Sequence, residues 1–338
     1  MDPSLYKTIT TSRGLHYSYY SSPAQQSKLT LLFCHGFPST SNDWRKQALY
    51  FQDKGYGVIV PDMLGYGGTD KPTDPALYVS SVMSKDLVEI LDAENVPQVV
   101  AIGHDWGSKA VSRLANYYPD RFIAYAFFSV AFMPPRPGKV DFNELLKTSK
   151  ERFGYELYGY QLFFSEDDAP IIIREHIDSF ISILWPYVPD IWRTHMAPTG
   201  VMKASLLEDF KAPLPSYATE EDKKRFKETF LKNGFEGPVC WYKIATNGMQ
   251  SEDDRNIPST QLVPPSSSPI FFGAAKYDYI AIPASGYRIF GAEAFKDHKI
   301  TTHEYDADHW LLLSKADEIN HDLEEWLESS EVSQKARL

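Results

Sequence analysis

Cysteine is scarce in this 338-residue sequence: Cys34 and Cys240 are its only two. Two thiols cannot build a disulfide framework, which excludes the small stapled secreted scaffolds and fits a reducing, intracellular setting. Both are expected to be buried apolar groups. Long hydrophobic runs are missing too. The longest, Phe122 to Met133, has 12 residues and contains Ser129, short of the roughly 20 a helix needs to cross a bilayer. The opening MDPSLYKTITTSRG shows no basic-then-apolar signal peptide. Positive charge is in deficit, with 34 Lys+Arg against 45 Asp+Glu and a formal net charge of −11. Without a basic patch, nucleic acid and anionic membrane are poor partners. No internal repeat or low-complexity block occurs. What is present, 43% hydrophobic and 23% charged residues, is the composition of a soluble globular chain, long enough for one large α/β domain with an insertion or for two domains.

Apolar runs and amphipathic stretches alternate along the first third. YKTITTSRGLHYSYYSS reads as an opening antiparallel pair. LTLLFC and GVIVPDM read as buried strands, with Ser41 or Asn42 expected to cap the helix carrying Trp44 to Phe51. Tyr78 to Leu91 reads as an amphipathic helix, followed by strand 99–102, helix 106–118 and strand 122–130. Strands alternating with helices predict an α/β fold with a mostly parallel sheet. The proline-rich MPPRPGK then opens a long helical, aromatic-rich stretch, which NIPSTQLVPPSSSP closes. After it, IFFGAAKYD and KITTHEYDADHW resume the strand pattern and an amphipathic helix from about 315 to 327 ends it. The expected organisation is an α/β core over 1–133 and 259–338, interrupted by a helical lid over 134–258.

The chemistry concentrates at Gly103-His104-Asp105-Trp106-Gly107. A small residue two places on each side of a central nucleophile, between strand and helix, is the layout of a nucleophile elbow. The apex is a carboxylate, Asp105, a poor reagent for esters or amides. A carboxylate attacks sp³ carbon bearing a leaving group, such as a strained epoxide or a carbon–halogen bond, and forms an ester to itself. Such an elbow needs an acid and then a histidine later in the chain. Asp278 and His309, each just after a candidate strand, supply that order. SVAFMPP, after strand 122–130, offers no carboxylate, which favours Asp278 over its neighbours Asp306 and Asp308. His309, oriented by Asp278, would activate water against the ester, and the backbone N–H groups of Phe37 and Trp106 would hold the oxyanion. His104 and His176 read as structural histidines. His303, Glu304, Asp306, Asp308 and His309 match no metal-ligand spacing, and Asp62 with GYGG reads as a tight turn. No metal and no cofactor are expected.

Together HGFP (35–38), PDMLGYGGTDKP (61–72), GHDWG (103–107), AAKYDYIAIP and DADHW resemble the α/β-hydrolase epoxide hydrolases of the soluble type. The resemblance covers nearly the whole chain. It implies the nucleophile, acid and histidine roles for Asp105, Asp278 and His309. YGYQLFF resembles the segment supplying a first lid tyrosine, here Tyr160, and CWYK the second, here Tyr242. Two such phenols would donate to the opening epoxide oxygen. The expected reaction converts a small apolar epoxide and water to a vicinal diol. Relatives with an extra N-terminal phosphatase-like domain or a membrane anchor are known, and neither is expected here. Alternatives within the same chemistry are haloalkane dehalogenases, which commonly carry asparagine where this chain has Phe37, and fluoroacetate dehalogenases, which usually carry arginine where it has Trp106. An epoxide-opening cyclase and a non-catalytic ligand receptor on the same scaffold stand as further alternatives. Trp185, Trp192 and Phe164 would suit an apolar tunnel or plain core packing. The final Ala336-Arg337-Leu338 resembles a degenerate peroxisomal address, so the expected location is peroxisome or cytoplasm.

Overall fold

Leu31 to Cys34, Val99 to Gly103 and Ile270 to Ala275 are continuous apolar or small-residue runs, the mark of strands covered on both faces. A computed structural model of the chain describes residues 1–138 and 140–335; Ala336-Arg337-Leu338 lies outside the described residues. Among the described residues eight strands form one sheet in the order β1-β2-β4-β3-β5-β6-β7-β8. These are β1 (Tyr6–Thr10), β2 (His16–Ser22), β3 (Thr30–Cys34), β4 (Gly57–Pro61), β5 (Val99–His104), β6 (Phe122–Phe128), β7 (Ile270–Ala275) and β8 (Ile300–Tyr305). The pairs β1–β2 and β2–β4 are antiparallel, and every later pairing is parallel. The expected α/β fold with a mostly parallel sheet is what the chain adopts.

Side-chain alternation splits the apolar residues between two faces. Leu31, Phe33, Val58, Val60, Val100 and Ile102 belong to one buried cluster, and Leu32, Cys34, Ile59, Val99 and Ala101 to the other. Helix α1 (Arg45–Asp53) covers the first face, whereas α2 (Ser80–Ala93) and α3 (Trp106–Tyr117) cover the second. In α2, Met83, Leu87, Ile90 and Leu91 recur at helical spacing and are buried. Thr40, rather than Ser41 or Asn42, is the cap ahead of α1: its hydroxyl accepts from the Asn42 amide, and a 3-10 turn (Ser41–Trp44) leads into the helix. Asp62 accepts from the Ser41 and Gly68 amides, at 2.8 Å each, and so pins the turn read from GYGG.

Between β6 and β7 the chain is helical: α4 (Phe142–Phe153), α5 (Gly159–Phe164), α6 (Ala169–Glu175), α7 (Ile177–Leu184), α8 (Ile191–His195), α9 (Val201–Leu207), α10 (Glu220–Asn233), α11 (Cys240–Thr246) and α12 (Met249–Asp253). It packs on the carboxyl side of the sheet, where the Trp241 indole donates to Leu64 O and the Trp310 indole to Leu184 O. Both connections to the sheet are tied to α3 through buried Arg113. Its guanidinium grips Asp254 at 2.8 and 3.0 Å and donates to Met133 O. Asp254 also accepts from the Arg136 amide and from Gln250. Four further helices, α13 (Pro283–Phe290), α14 (Leu311–Ser314), α15 (Ala316–Glu328) and α16 (Ser330–Lys335), follow β7 and β8 among the described residues. In α15 the buried Ile319, Leu323, Trp326 and Leu327 form the inward stripe. Among the described residues no helix is long and apolar enough to cross a membrane.

Candidate active site

Strand register explains why distant residues meet. Cys34 on β3 lies beside Gly103 on β5, so both chains leave the sheet together, toward Phe37 and Asp105. The Phe37 amide donates to Asp105 Oδ1 at 2.8 Å. Only glycine permits so close an approach. A Cβ on Gly36 would lie 2.2 Å from Asp105 Oδ1, and one on Gly107 would lie 1.9 Å from Cys34 O. Asp105 itself has φ +56° and ψ −124°, a left-handed conformation that costs a residue with a side chain about 1–3 kcal/mol. The strain holds the carboxylate out of the turn at the start of α3, where the nearby Trp106 amide also favours its charge.

On the other side, β7 and β8 pair Ala275 with Tyr305, and the loops beyond bring Asp278 and His309 together. His309 Nδ1 is 2.6 Å from Asp278 Oδ2, and Nε2 is 3.6 Å from Asp105 Oδ2. Asp278 accepts and cannot donate, so the neutral ring carries its proton on Nδ1 and turns the free Nε2 toward Asp105. Asp278 Oδ1 accepts from the Ile280 and Ala281 amides at 2.9 and 2.8 Å. Burial opposes its charge, but His309 and those amides outweigh burial and hold its pKa below the ordinary carboxylate value. For His309, burial disfavours the cation, yet Asp278, then Asp105 and Asp308, raise its pKa above 6.5. Asp105 is raised, because burial exceeds the help from His309 and the two amides. Its side chain is 17% exposed, open enough to meet a reactant.

The neighbouring groups divide into supports and bystanders. His104, pushed down to about 3 mainly by burial, stays neutral and donates Nε2–H to His309 O at 2.8 Å. Ser129, at the carboxyl end of β6 where no carboxylate stands, donates to the same carbonyl at 3.1 Å. Asp308 points away from the imidazole nitrogens, accepting from the Trp310 amide and from the Tyr217 hydroxyl, both at 2.9 Å. Burial lifts its pKa to about 6. Asp306 is exposed beside Lys276. His303 pairs with Asp322 and Glu304 with Tyr287, so the acidic and histidine cluster disperses. His176 lies far along the helical segment against Asp209.

Tyr160 on α5 and Tyr242 on α11 are 6% and 2% exposed, and their rings meet edge to face at 5.7 Å. Tyr242 also stands edge-on to Phe37 at 4.8 Å and to Trp106 at 5.2 Å, the two residues whose amides hold Asp105. Burial, then the Asp105 charge, raises the Tyr160 pKa; burial, then Tyr160 and Asp105, raises that of Tyr242. Both remain protonated phenols in the field of Asp105. Phe164 packs on both Phe37 and Tyr242 at 4.9 Å, and Trp185 packs against Phe226 and Trp310. The sequence left the place of Trp192 open between tunnel and core. It lies against His309, with ring centroids 4.9 Å apart. Arg113 and Asp254 were not foreseen: in α3, Arg113 reads as an ordinary polar position, and no motif marks its partner.

An aspartate at a strained elbow, two amide donors, and an imidazole–carboxylate pair on the carboxyl edge of a mostly parallel sheet define an α/β-hydrolase-fold protein. Residues 30–164 match the family model described as alpha/beta hydrolase fold. The motif resemblance is borne out in the relatives, which carry the epoxide hydrolase name. The chain is 30% identical over 302 residues to Bifunctional epoxide hydrolase 2 of Sus scrofa, covering 88% of this chain and 51% of that protein. It is 32% identical over 221 residues to an epoxide hydrolase of Caballeronia sordidicola, covering 64% of each. The chain spans about half the length of the first curated relatives it matches. Epoxide Hydrolase A from Mycobacterium thermoresistibile has the same fold, with a TM-score of 0.75 at 23% identity over 95% of this chain and 97% of that one.

Proposed function

We propose that this protein is an epoxide hydrolase that converts a small apolar epoxide and water to a vicinal diol through an ester to Asp105. The observation that carries the reading is the setting of Asp105, with the His309–Asp278 pair on one side and two buried phenols, Tyr160 and Tyr242, within reach of its field. Asp105 Oδ1 is engaged by the Phe37 amide, which leaves Oδ2 to attack an epoxide carbon. The carbon–oxygen bond breaks away from Asp105, and the leaving alkoxide takes a hydrogen bond or proton from the phenols. Water next attacks the ester carbonyl, giving its proton to His309 Nε2, while the Phe37 and Trp106 amides hold the oxyanion on Oδ1. Collapse expels the diol oxygen, which recovers the proton from the imidazolium, and the proton left on the Asp105 carboxyl returns to the phenol that protonated the alkoxide. Helices α4–α12 act as a lid over 134–258, delivering the phenols. The Phe37 side chain, packed on Tyr242 and Phe164, offers no N–H to a departing halide, which favours epoxides over haloalkanes.

A single turnover in heavy-oxygen water tests this reading. Label is expected in the Asp105 carboxylate and not in the first diol released, and His309→Gln is expected to retain the substrate's mass on Asp105. Label entering the first diol directly would mean that water attacks the epoxide itself. The proposal extends to location. A fluorescent fusion ending in Ala336-Arg337-Leu338 is expected to be punctate and to become diffuse when those residues are removed; diffuse signal from both would refute a peroxisomal address.

A further inference from the structure

We propose that Trp192 is a positioning residue for the general base, its indole face holding the His309 imidazolium as it forms during ester hydrolysis; this rests on the aspartyl-ester reading above. Trp192 belongs to α8, within the helical segment, and is 4% exposed. Its ring centroid lies 4.9 Å from that of His309, the planes inclined at 44°. That separation is inside the roughly 6 Å over which an aromatic face attracts a cation. The indole is also fixed in place: its Nε1–H donates to Ile183 O at 2.9 Å, and its own carbonyl accepts from the Ala197 amide at 2.8 Å. A ring held at both ends need not reorganise when charge appears beside it.

The charge balance around His309 leaves a task for such a face. Asp278 takes Nδ1, Asp105 faces Nε2, and Asp308 lies in the same loop with its carboxyl bound by Tyr217 from the helical segment. Neutral His104 lies tilted against the imidazole, centroids 4.7 Å apart, and Trp310 stands edge-on at 5.5 Å. Once Asp105 is esterified its negative charge is gone. The imidazole must then take a proton in a buried site with one facing anion fewer. The Trp192 quadrupole is uncharged and does not change on ester formation, so its attraction for the cation persists through the step that needs it.

Two measurements on Trp192→Leu and Trp192→Phe test this. In rapid-quench single turnovers with a styrene-type epoxide, Trp192→Leu is expected to lower the pH-independent rate of ester decay about three- to tenfold. Its pH midpoint should move down by about 0.5 to 1 unit, while ester formation changes less than about twofold. Trp192→Phe, which keeps an aromatic face, should recover most of both effects. The second measurement is an NMR titration of the His309 ring in substrate-free protein, where the same downward shift is expected. If Trp192 only fills space, its removal admits water, which solvates the cation and leaves the midpoint unmoved or raised; either result, or equal slowing of both steps, overturns the proposal. Absence of any ester in the wild type would refute the aspartyl-ester reading instead, and the NMR titration would still decide whether the indole holds the cation. Should Trp192→Leu fail to fold, Trp192→Phe carries the test with a smaller shift of the same sign, and a shift of opposite sign would overturn it.

Discussion

Tyr160 and Tyr242 are kept as phenols by the burial that also removes competing water. In the proposed reaction each hydroxyl alone would satisfy part of an opening alkoxide, so a single phenylalanine variant would retain one donor. Tyr160→Phe or Tyr242→Phe is therefore expected to slow ester formation about 10- to 100-fold, and the double variant about a thousandfold or more, on the scale of lost oxyanion donors. Single-turnover rates together with far-UV circular dichroism separate lost chemistry from lost fold. A double variant with undiminished epoxide turnover would remove the tyrosines from the mechanism. In the proposed mechanism His309 has the opposite requirement, since it would serve as base only when neutral. Its pKa in the substrate-free protein is raised, so its neutral fraction grows as pH rises through a midpoint above 6.5. Esterification neutralises Asp105, one of the charges that raise it, so ester decay should turn on at a lower pH than the ring titration of the free protein. The decay rate should then stay level through about pH 9, because the buried phenols lie above the ordinary value of about 10. Kinetic and NMR midpoints that coincide would mean that Asp105 has no influence on His309.

Helix α3 has two distinct ends to its work. Its first turn receives Asp105, and two turns on, Arg113 holds the outgoing connection at Met133 and the returning one at Asp254. Asp254 is the sole carboxylate within salt-bridge distance of Arg113 among the described residues, and Lys109 is also near at 3.8 Å. Asp254→Ala would strand buried positive charge, and a loss of about 3–5 kcal/mol is expected from urea unfolding. A change below about 1 kcal/mol would mean that the hub does not hold the segment to α3. This hub also marks where sequence reading stops. Asp105, Asp278 and His309 could be matched to one topology because each follows a strand whose apolar run is plain. Asp254 bonds a residue 141 positions away, from a segment of short helices with no strand register to align it. Trp192 and Tyr217 belong to the same segment. Periodicity says that an aromatic faces inward but not what it will touch, and so it cannot tell a tunnel wall from the contact that Trp192 makes with His309. The cap at Thr40 was missed for a smaller reason: a 3-10 turn precedes α1 and shifts the start of regular helix by a few residues.

The whole molecule has two apolar clusters, one on each face of the sheet, and they are not equivalent. One contains no residue of the helical segment and is built around Phe33, Phe51, Phe271 and Trp326. The other runs without a break from Leu32, Ala101 and Phe127 into Phe164, Phe180 and Trp241 of the helical segment. A core shared in this way leaves the segment no separate stability. Denaturation followed by tryptophan fluorescence and by far-UV circular dichroism should give one coincident transition. A helical signal lost well before the rest would show the segment to be an independent folding unit.

The state of the two thiols bears on how such a protein would survive the reactant proposed for it. Epoxides are alkylating agents, and cysteine thiolates are ordinarily the first groups in a protein to capture them. Cys34 is wholly buried in β3 and Cys240 is buried at the start of α11; burial pushes both thiols up to about 12. At neutral pH neither is a thiolate, and neither is within easy reach of solvent. In the proposed reaction a strained ring at the site would find neither thiol competing with Asp105, whose adduct His309 would clear. Self-alkylation, the chronic hazard of handling electrophiles, would be curtailed by the same packing that builds the core.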